Sequence, residues 1–122
     1  MRQSGGTFLV PAMINNVLEL EFILDSGAAD VTIPADVVRT LMRTGSLTAQ
    51  DFRETRTYVI ADGSQVRSRT FLLKSIRVGN RVAENVLASE AQLNGPLLLG
   101  QSFLNKFASW SLDNVTQTLK LD

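Results

Sequence analysis

The chain has 122 residues, twelve acidic side chains against twelve basic ones, 44% hydrophobic content, and neither cysteine nor histidine. That length supports one domain with its own core, and balanced charge with a pI near 6.2 offers no surface for nucleic acid or an anionic membrane. Missing cysteine and histidine exclude disulfides, thiolate and imidazole metal sites, serine and cysteine triads and zinc hydrolysis; no metal or cofactor is expected, and acid–base work would fall to carboxylates.

Met1 to Gly6 is small and polar and reads as a flexible tail, without an apolar signal region or a membrane span. The domain proper runs over 7–122. The tail is compatible with a soluble piece of a longer, membrane-anchored or periplasmic protein; it names no compartment. Thr7 to Val10 and Ala12 to Ile14 read as a strand kinked at Pro11, and Asn15-Asn16 as a hairpin turn. The return strand, Val17 to Leu24, alternates Leu18, Leu20, Phe22 and Leu24 against Glu19 and Glu21, the period of a half-buried strand.

That strand runs directly into Asp25. Ser26 and Gly27 follow, a small hydroxyl and a residue open to close backbone approach, then Ala28, Ala29 and Asp30. Val31-Thr32-Ile33 is β-branched throughout and reads as a strand ended by Pro34. The unit is strand, acid-bearing loop, strand; by itself Asp-Ser-Gly is most often a plain turn.

From Pro34 the period changes to helical, with Val37, Val38, Leu41 and Met42 on one face, Asp36 in the first turn, Arg43 in the last and Gly45 as a stop. Thr48 to Asp51 is a capping sequence for a further short turn through Phe52 to Glu54. Strand character returns from Thr55 to Arg69 around Asp62-Gly63, a hairpin signal, and Arg53, Arg56, Arg67 and Arg69 carry too much charge for burial on both sides. Its tip should project into solvent. Thr70 to Val78 alternates, Gly79-Asn80 turns into Val86-Leu87-Ala88, and Asn94-Gly95-Pro96 interrupts the chain before the fully apolar Leu97-Leu98-Leu99. A short helix is expected over Gln101 to Phe107, then a closing hairpin, Trp110 to Leu121, with Leu119 and Leu121 inward.

Taken together, Asp25-Ser26-Gly27-Ala28 after an apolar strand, Ala61-Asp62-Gly63-Ser64 and Leu98-Leu99-Gly100-Gln101-Ser102-Phe103-Leu104 resemble the retropepsin-like aspartic proteases, especially their single-domain bacterial members, over about residues 7 to 122. The resemblance implies a mainly β fold, a small closed acid-protease barrel with one or two short helices. It implies a homodimeric aspartic endopeptidase acting on peptide or protein substrates, with one Asp25 per chain forming a two-Asp dyad. In that reading Asp25 is acid and base, Ser26 ties two active loops together, and Gly27 approaches substrate. Ala28, Ala29 and Asp30, with a flap formed by Ile60, Ala61, Asp62, Gly63 and Ser64, meet the peptide, while Leu98, Leu99 and Gly100 support the loop from below.

Two positions depart from the retroviral pattern. Ala29 and Gln101 stand where those enzymes carry an Asp and an Arg that brace the dimer. Asp30 either takes over part of the peptide binding or is a solvated loop acid. Two other functions stay open: a catalytically silent retropepsin-like dimerisation or peptide-binding module, and an unrelated small β-barrel in which Asp25 caps a turn.

Overall fold

The structure, a computed structural model, describes residues 1–4, 6–59 and 62–122. Its strands are β1 (Arg2–Ser4), β2 (Thr7–Ile14), β3 (Leu18–Leu24), β4 (Val31–Pro34), β5 (Phe52–Val59), β6 (Gln65–Val78), β7 (Arg81–Ala91), β8 (Leu98–Leu99), β9 (Trp110–Asp113) and β10 (Thr118–Leu121), with helices α1 (Ala35–Arg43) and α2 (Gln101–Leu104). The fold is mainly β, as expected. Eight strands form one sheet in the order β1-β2-β3-β8-β4-β7-β6-β5, and a further pairing of β2 with β6 joins its two sides. That seam is short, Met13 opposite Arg77 and Ile14 opposite Ile76. It turns the six strands from β2 to β6 into a closed ring, with β1 and β5 outside it.

Alternation in β3 places Phe22 in the core and leaves Glu19 and Glu21 exposed. The Asn15-Asn16 turn forms with φ of 53° and 57°, the left-handed pair a tight hairpin needs. Asn15 does more than turn: its Oδ1 accepts from the Lys74 and Ser75 amides at 2.8 and 3.2 Å, and its Nδ2 donates to the Ser46 carbonyl at 3.0 Å. One buried amide thus ties the β2–β3 hairpin to β6 and to the chain after α1. The helix α1 buries Val38 and Leu41, carries Asp36 first and Arg43 last, and ends in a Thr44-Gly45 stop with Gly45 at φ 79°.

Several elements differ in extent from the sequence reading. Arg2–Ser4, within the expected tail, pair with β2. Thr48 and Asp51 do form a capping box, but the turn ends there: Phe52 is already opposite Phe71, ring centroids 5.5 Å apart, and that packing pulls residues 52–54 into β5. Thr55 to Arg69 and Thr70 to Val78 look like separate runs in the sequence, yet Gln65–Val78 is one uninterrupted 14-residue strand. Helix α2 stops at Leu104 rather than Phe107, whose ring instead packs edge-on against Phe103 at 5.3 Å.

Phe22, Phe71, Phe103, Ile33, Leu41 and Leu99 are fully buried, each contributing on the order of 2 kcal/mol by burial. Leu121 is buried and Leu119 packs against the core, so β9–β10 closes one side as expected. No helix among the described residues is long and apolar enough to cross a membrane.

Candidate active site

Asp25 is the first residue beyond β3, and the loop it begins is held from beneath by the chain around β8. Strand β8 lies parallel to β3, Leu98 beside Ile23 and Leu99 beside Leu24, and the Asp25 amide donates to the Leu99 carbonyl at 3.0 Å. Leu99 is fully buried there and Leu98 half-buried. At the start of α2 the amides of Gln101 and Ser102 donate to the carbonyls of Ala28 and Ala29, both at 2.9 Å. The Ser102 hydroxyl accepts from the Val31 amide at 2.8 Å and donates to the Leu87 carbonyl at 2.6 Å. Gly100 sits so tightly under the loop that a Cβ would run into the Asp30 carbonyl oxygen and lie 2.7 Å from that of Ala28. Its backbone, φ −104°, is open to any residue; it is space that demands glycine here.

Above this support, the Gly27 amide donates to Asp25 Oδ1 at 3.0 Å, fixing the carboxylate against its own loop. Asp25 is half-buried, Ser26 and Gly27 are exposed, and the Ser26 hydroxyl has no partner among the described residues. A cleft of about 1320 Å³ opens beside the loop, lined by Asp25, Gly27, Ala28, Ala29 and Asp30, by Leu98, and across from them by Tyr58, Val59 and Val66 of the β5–β6 hairpin. A separate cleft of about 1160 Å³, between β9–β10 and β2, contains no residue of the Asp-Ser-Gly loop.

Of the two charged braces absent from the sequence, one has an uncharged counterpart. The Gln101 amide donates through Nε2 to the Ser26 carbonyl at 2.7 Å, bracing the Asp25 loop within the chain. Asp30 is neither solvated nor idle: its side chain is 7% exposed, and Oδ2 accepts from the Tyr58 hydroxyl at 2.8 Å, with Arg56 Nη1 3.7 Å away. Burial first, then the hydrogen bond to Asp30 and its charge, push the Tyr58 hydroxyl up from its ordinary value; Ser89 and Arg56 act the other way.

At the hairpin tip, Asp62, Gly63 and Ser64 are exposed and outside the residues that line the cleft. Asp62 Oδ1 accepts from the Ser64 amide at 2.8 Å, and hydrogen bonding to Ser64 holds the Asp62 carboxyl below its usual range; Gly63 has φ 85°. Ile60 and Ala61 lie outside the described residues. The last described pair of the hairpin is Val59 opposite Gln65. The sequence reading therefore brought together Asp25 to Asp30 with Leu98 to Gly100, and missed Tyr58, Gln101 and Ser102 as groups that meet the loop. No local pattern announces these contacts, because each spans 28 to 75 residues.

Comparison with known families matches residues 10–106 to one described as "gag-polyprotein putative aspartyl protease". Among solved structures, the chain is similar to a retropepsin-like aspartic protease from Rickettsia conorii, with 26% sequence identity and a TM-score of 0.69, over 97% of this chain and 83% of that one. Curated proteins give no match.

Proposed function

Given that the chain belongs to the gag-polyprotein aspartyl protease family and has a retropepsin-like fold, we propose that it is a homodimeric aspartic endopeptidase whose dyad is built from one Asp25 of each protomer. The observation that carries this reading is the Asp25 carboxylate itself, half-buried at the end of an apolar strand, pinned by the Gly27 amide and facing a peptide-sized cleft.

The chain has a single Asp-Ser-Gly, and the reaction needs two carboxylates. One accepts a proton from water as its oxygen attacks the scissile carbonyl carbon; the other donates a proton to the carbonyl oxygen. The tetrahedral product collapses as the amide nitrogen takes a proton and the C–N bond breaks. Two carboxylates at that distance share one proton, since both cannot ionise together, and they titrate as a unit. A two-fold axis beside Asp25 supplies the second carboxylate, making the interface isologous. Ser26, exposed with its hydroxyl uncommitted, then reaches the partner loop, while Gly27 to Asp30 and the hairpin from Tyr58 to Val66 enclose the peptide and exclude water.

The test is Asp25→Asn, which removes the titrating oxygen without changing size. The variant should keep the wild-type melting temperature and lose cleavage of an unstructured protein substrate, while the wild type works in the acidic range where the dyad holds its proton. Peptide binding without turnover by the wild type would assign the chain to a silent binding module. Wild-type turnover by a pure Asp25→Asn chain would refute the role of Asp25.

A further inference from the structure

Strand β6 pairs with β7 only from Thr70 to Val78. Its first part, Gln65 to Arg69, pairs with β5 alone, so the hairpin beyond Thr55 overhangs the ring as a two-stranded arm. An isolated pair of strands has little stability of its own, and what holds this arm to the body decides how it moves. At its root, Arg69 makes a bidentate pair with Glu90 at 2.8 and 2.9 Å. Farther out, Arg56 and Tyr58 both reach Asp30, but only the Tyr58 hydroxyl is within hydrogen-bond distance; Arg56 stays at 3.7 Å and is 42% exposed. Residues 53–57 of β5 are exposed and so is Val59, at 71%, which leaves Tyr58 as the half-buried side chain in the outer part of that strand.

Asp30 is a fixed point. Its carbonyl lies close against Gly100, and the neighbouring Ala29 carbonyl and Val31 amide are both bonded to Ser102. A phenol clamped to such a carboxylate ties the arm to the body at a second point, beyond its root. It does so on the acid-bearing loop itself, five residues along the chain from Asp25.

We infer that Tyr58 is a positioning residue: through Asp30 it hinges the β5–β6 hairpin on the active loop, and so sets how firmly a bound peptide is covered. The inference rests on the protease reading for its effect on substrate. With the hydroxyl in place, the arm is tied to the loop as far out as Tyr58. Without it, the arm is tied to the body by the Arg69–Glu90 pair at its root and the looser Arg56–Asp30 contact at 3.7 Å, and closing over a peptide must order a longer span. That cost falls on binding, not on bond cleavage, because the Tyr58 hydroxyl is bonded to Asp30 and not to Asp25.

The experiment is Tyr58→Phe in the full chain, read by hydrogen exchange and steady-state kinetics. Exchange at the amides of residues 56–58 and 66–68 should rise about tenfold or more, as expected for loss of a hydrogen bond to a charged group, with β3 and β8 unchanged. KM for an unstructured peptide should rise by a similar factor, with kcat within about twofold. Asp30→Asn keeps an acceptor for the phenol and should lie between wild type and Tyr58→Phe. Unchanged exchange in the arm, or a loss confined to kcat, would overturn the hinge. Exchange requires no turnover, so a wild-type chain that cleaves nothing would remove the protease reading while the hinge is still decided by the protection pattern.

Discussion

Replacing Gly100 by alanine tests whether the active loop is held as rigidly as its contacts imply. The backbone there has φ −104° and ψ −165°, so alanine adds no conformational strain and the whole effect is steric. The new methyl would lie 2.7 Å from the Ala28 carbonyl oxygen and 2.9 Å from the Asp30 carbonyl carbon, besides striking the Asp30 oxygen. These are backbone atoms, and no side chain can swing aside. Relieving the clash means moving α2 and the loop apart, an overpacking cost of about 1–3 kcal/mol. The same movement stretches the Gln101–Ala28 and Ser102–Ala29 hydrogen bonds, each worth about 1 kcal/mol. The sum, about 3–5 kcal/mol, is a large share of an ordinary domain's stability and corresponds to a fall in melting temperature of about 10–20 °C at this chain length. Thermal melts by circular dichroism, with urea midpoints as a second measure, read it directly. A Gly100→Ala chain melting within about 3 °C of wild type would show that loop and helix separate freely, and the account of a rigidly seated Asp25 would fail.

If the dyad is shared, specific activity should climb with protein concentration and level off near the dimer dissociation constant. Excess Asp25→Asn chains should suppress it, and activity unaffected by them would refute the shared site. Asn15→Ala strips one acceptor from two amides and one donor from Ser46 at a residue with φ 53°, and should cost about 3 kcal/mol by urea denaturation. Asn15→Gly, which tolerates that φ, should recover about 1 kcal/mol of it; equal losses would assign the whole effect to the amide. Tyr58 is the sole tyrosine, so tyrosinate absorbance follows it alone. Its hydroxyl is raised in the fold, hence the folded chain binds that proton more tightly than the unfolded one. The resulting stability is full below the ordinary value near 10 and is lost as pH climbs through the raised one. Titration should occur above pH 10 in the native chain and near 10 in denaturant; coincident curves would contradict the buried contact with Asp30.

What the sequence displayed was local. Alternation along Leu18 to Leu24, the Asp-Ser-Gly after it, the helical spacing of Val38 and Leu41 and the Asn-Asn turn each depend on neighbours in the chain, and each appears where the residues imply. Leu98-Leu99-Gly100 was legible for a different reason, through its resemblance to a family motif. Partnerships across the fold were not legible. Asp30 looks identical as a solvated loop acid and as a buried one until Tyr58 is brought to it, and nothing near Asn15 announces the Lys74 and Ser75 amides. Gln101 read as a missing charge, because an amide that reaches a carbonyl leaves no periodic trace. The continuity of β6 was hidden by a change of surroundings, exposed on the arm and buried on the ring, within a single uninterrupted backbone.

The hydrogen bonds that seat the active loop bear on when the site can exist during synthesis. Val31 depends on Ser102 and Ser26 on Gln101, separations of 71 and 75 residues. At ordinary translation rates the acid is made about 4–15 s before its support. A nascent chain therefore carries Asp25 without the frame that orients it, and non-local closure of this kind is intrinsically late in folding. The loop that carries Asp25 is therefore seated only once nearly the whole domain has been made.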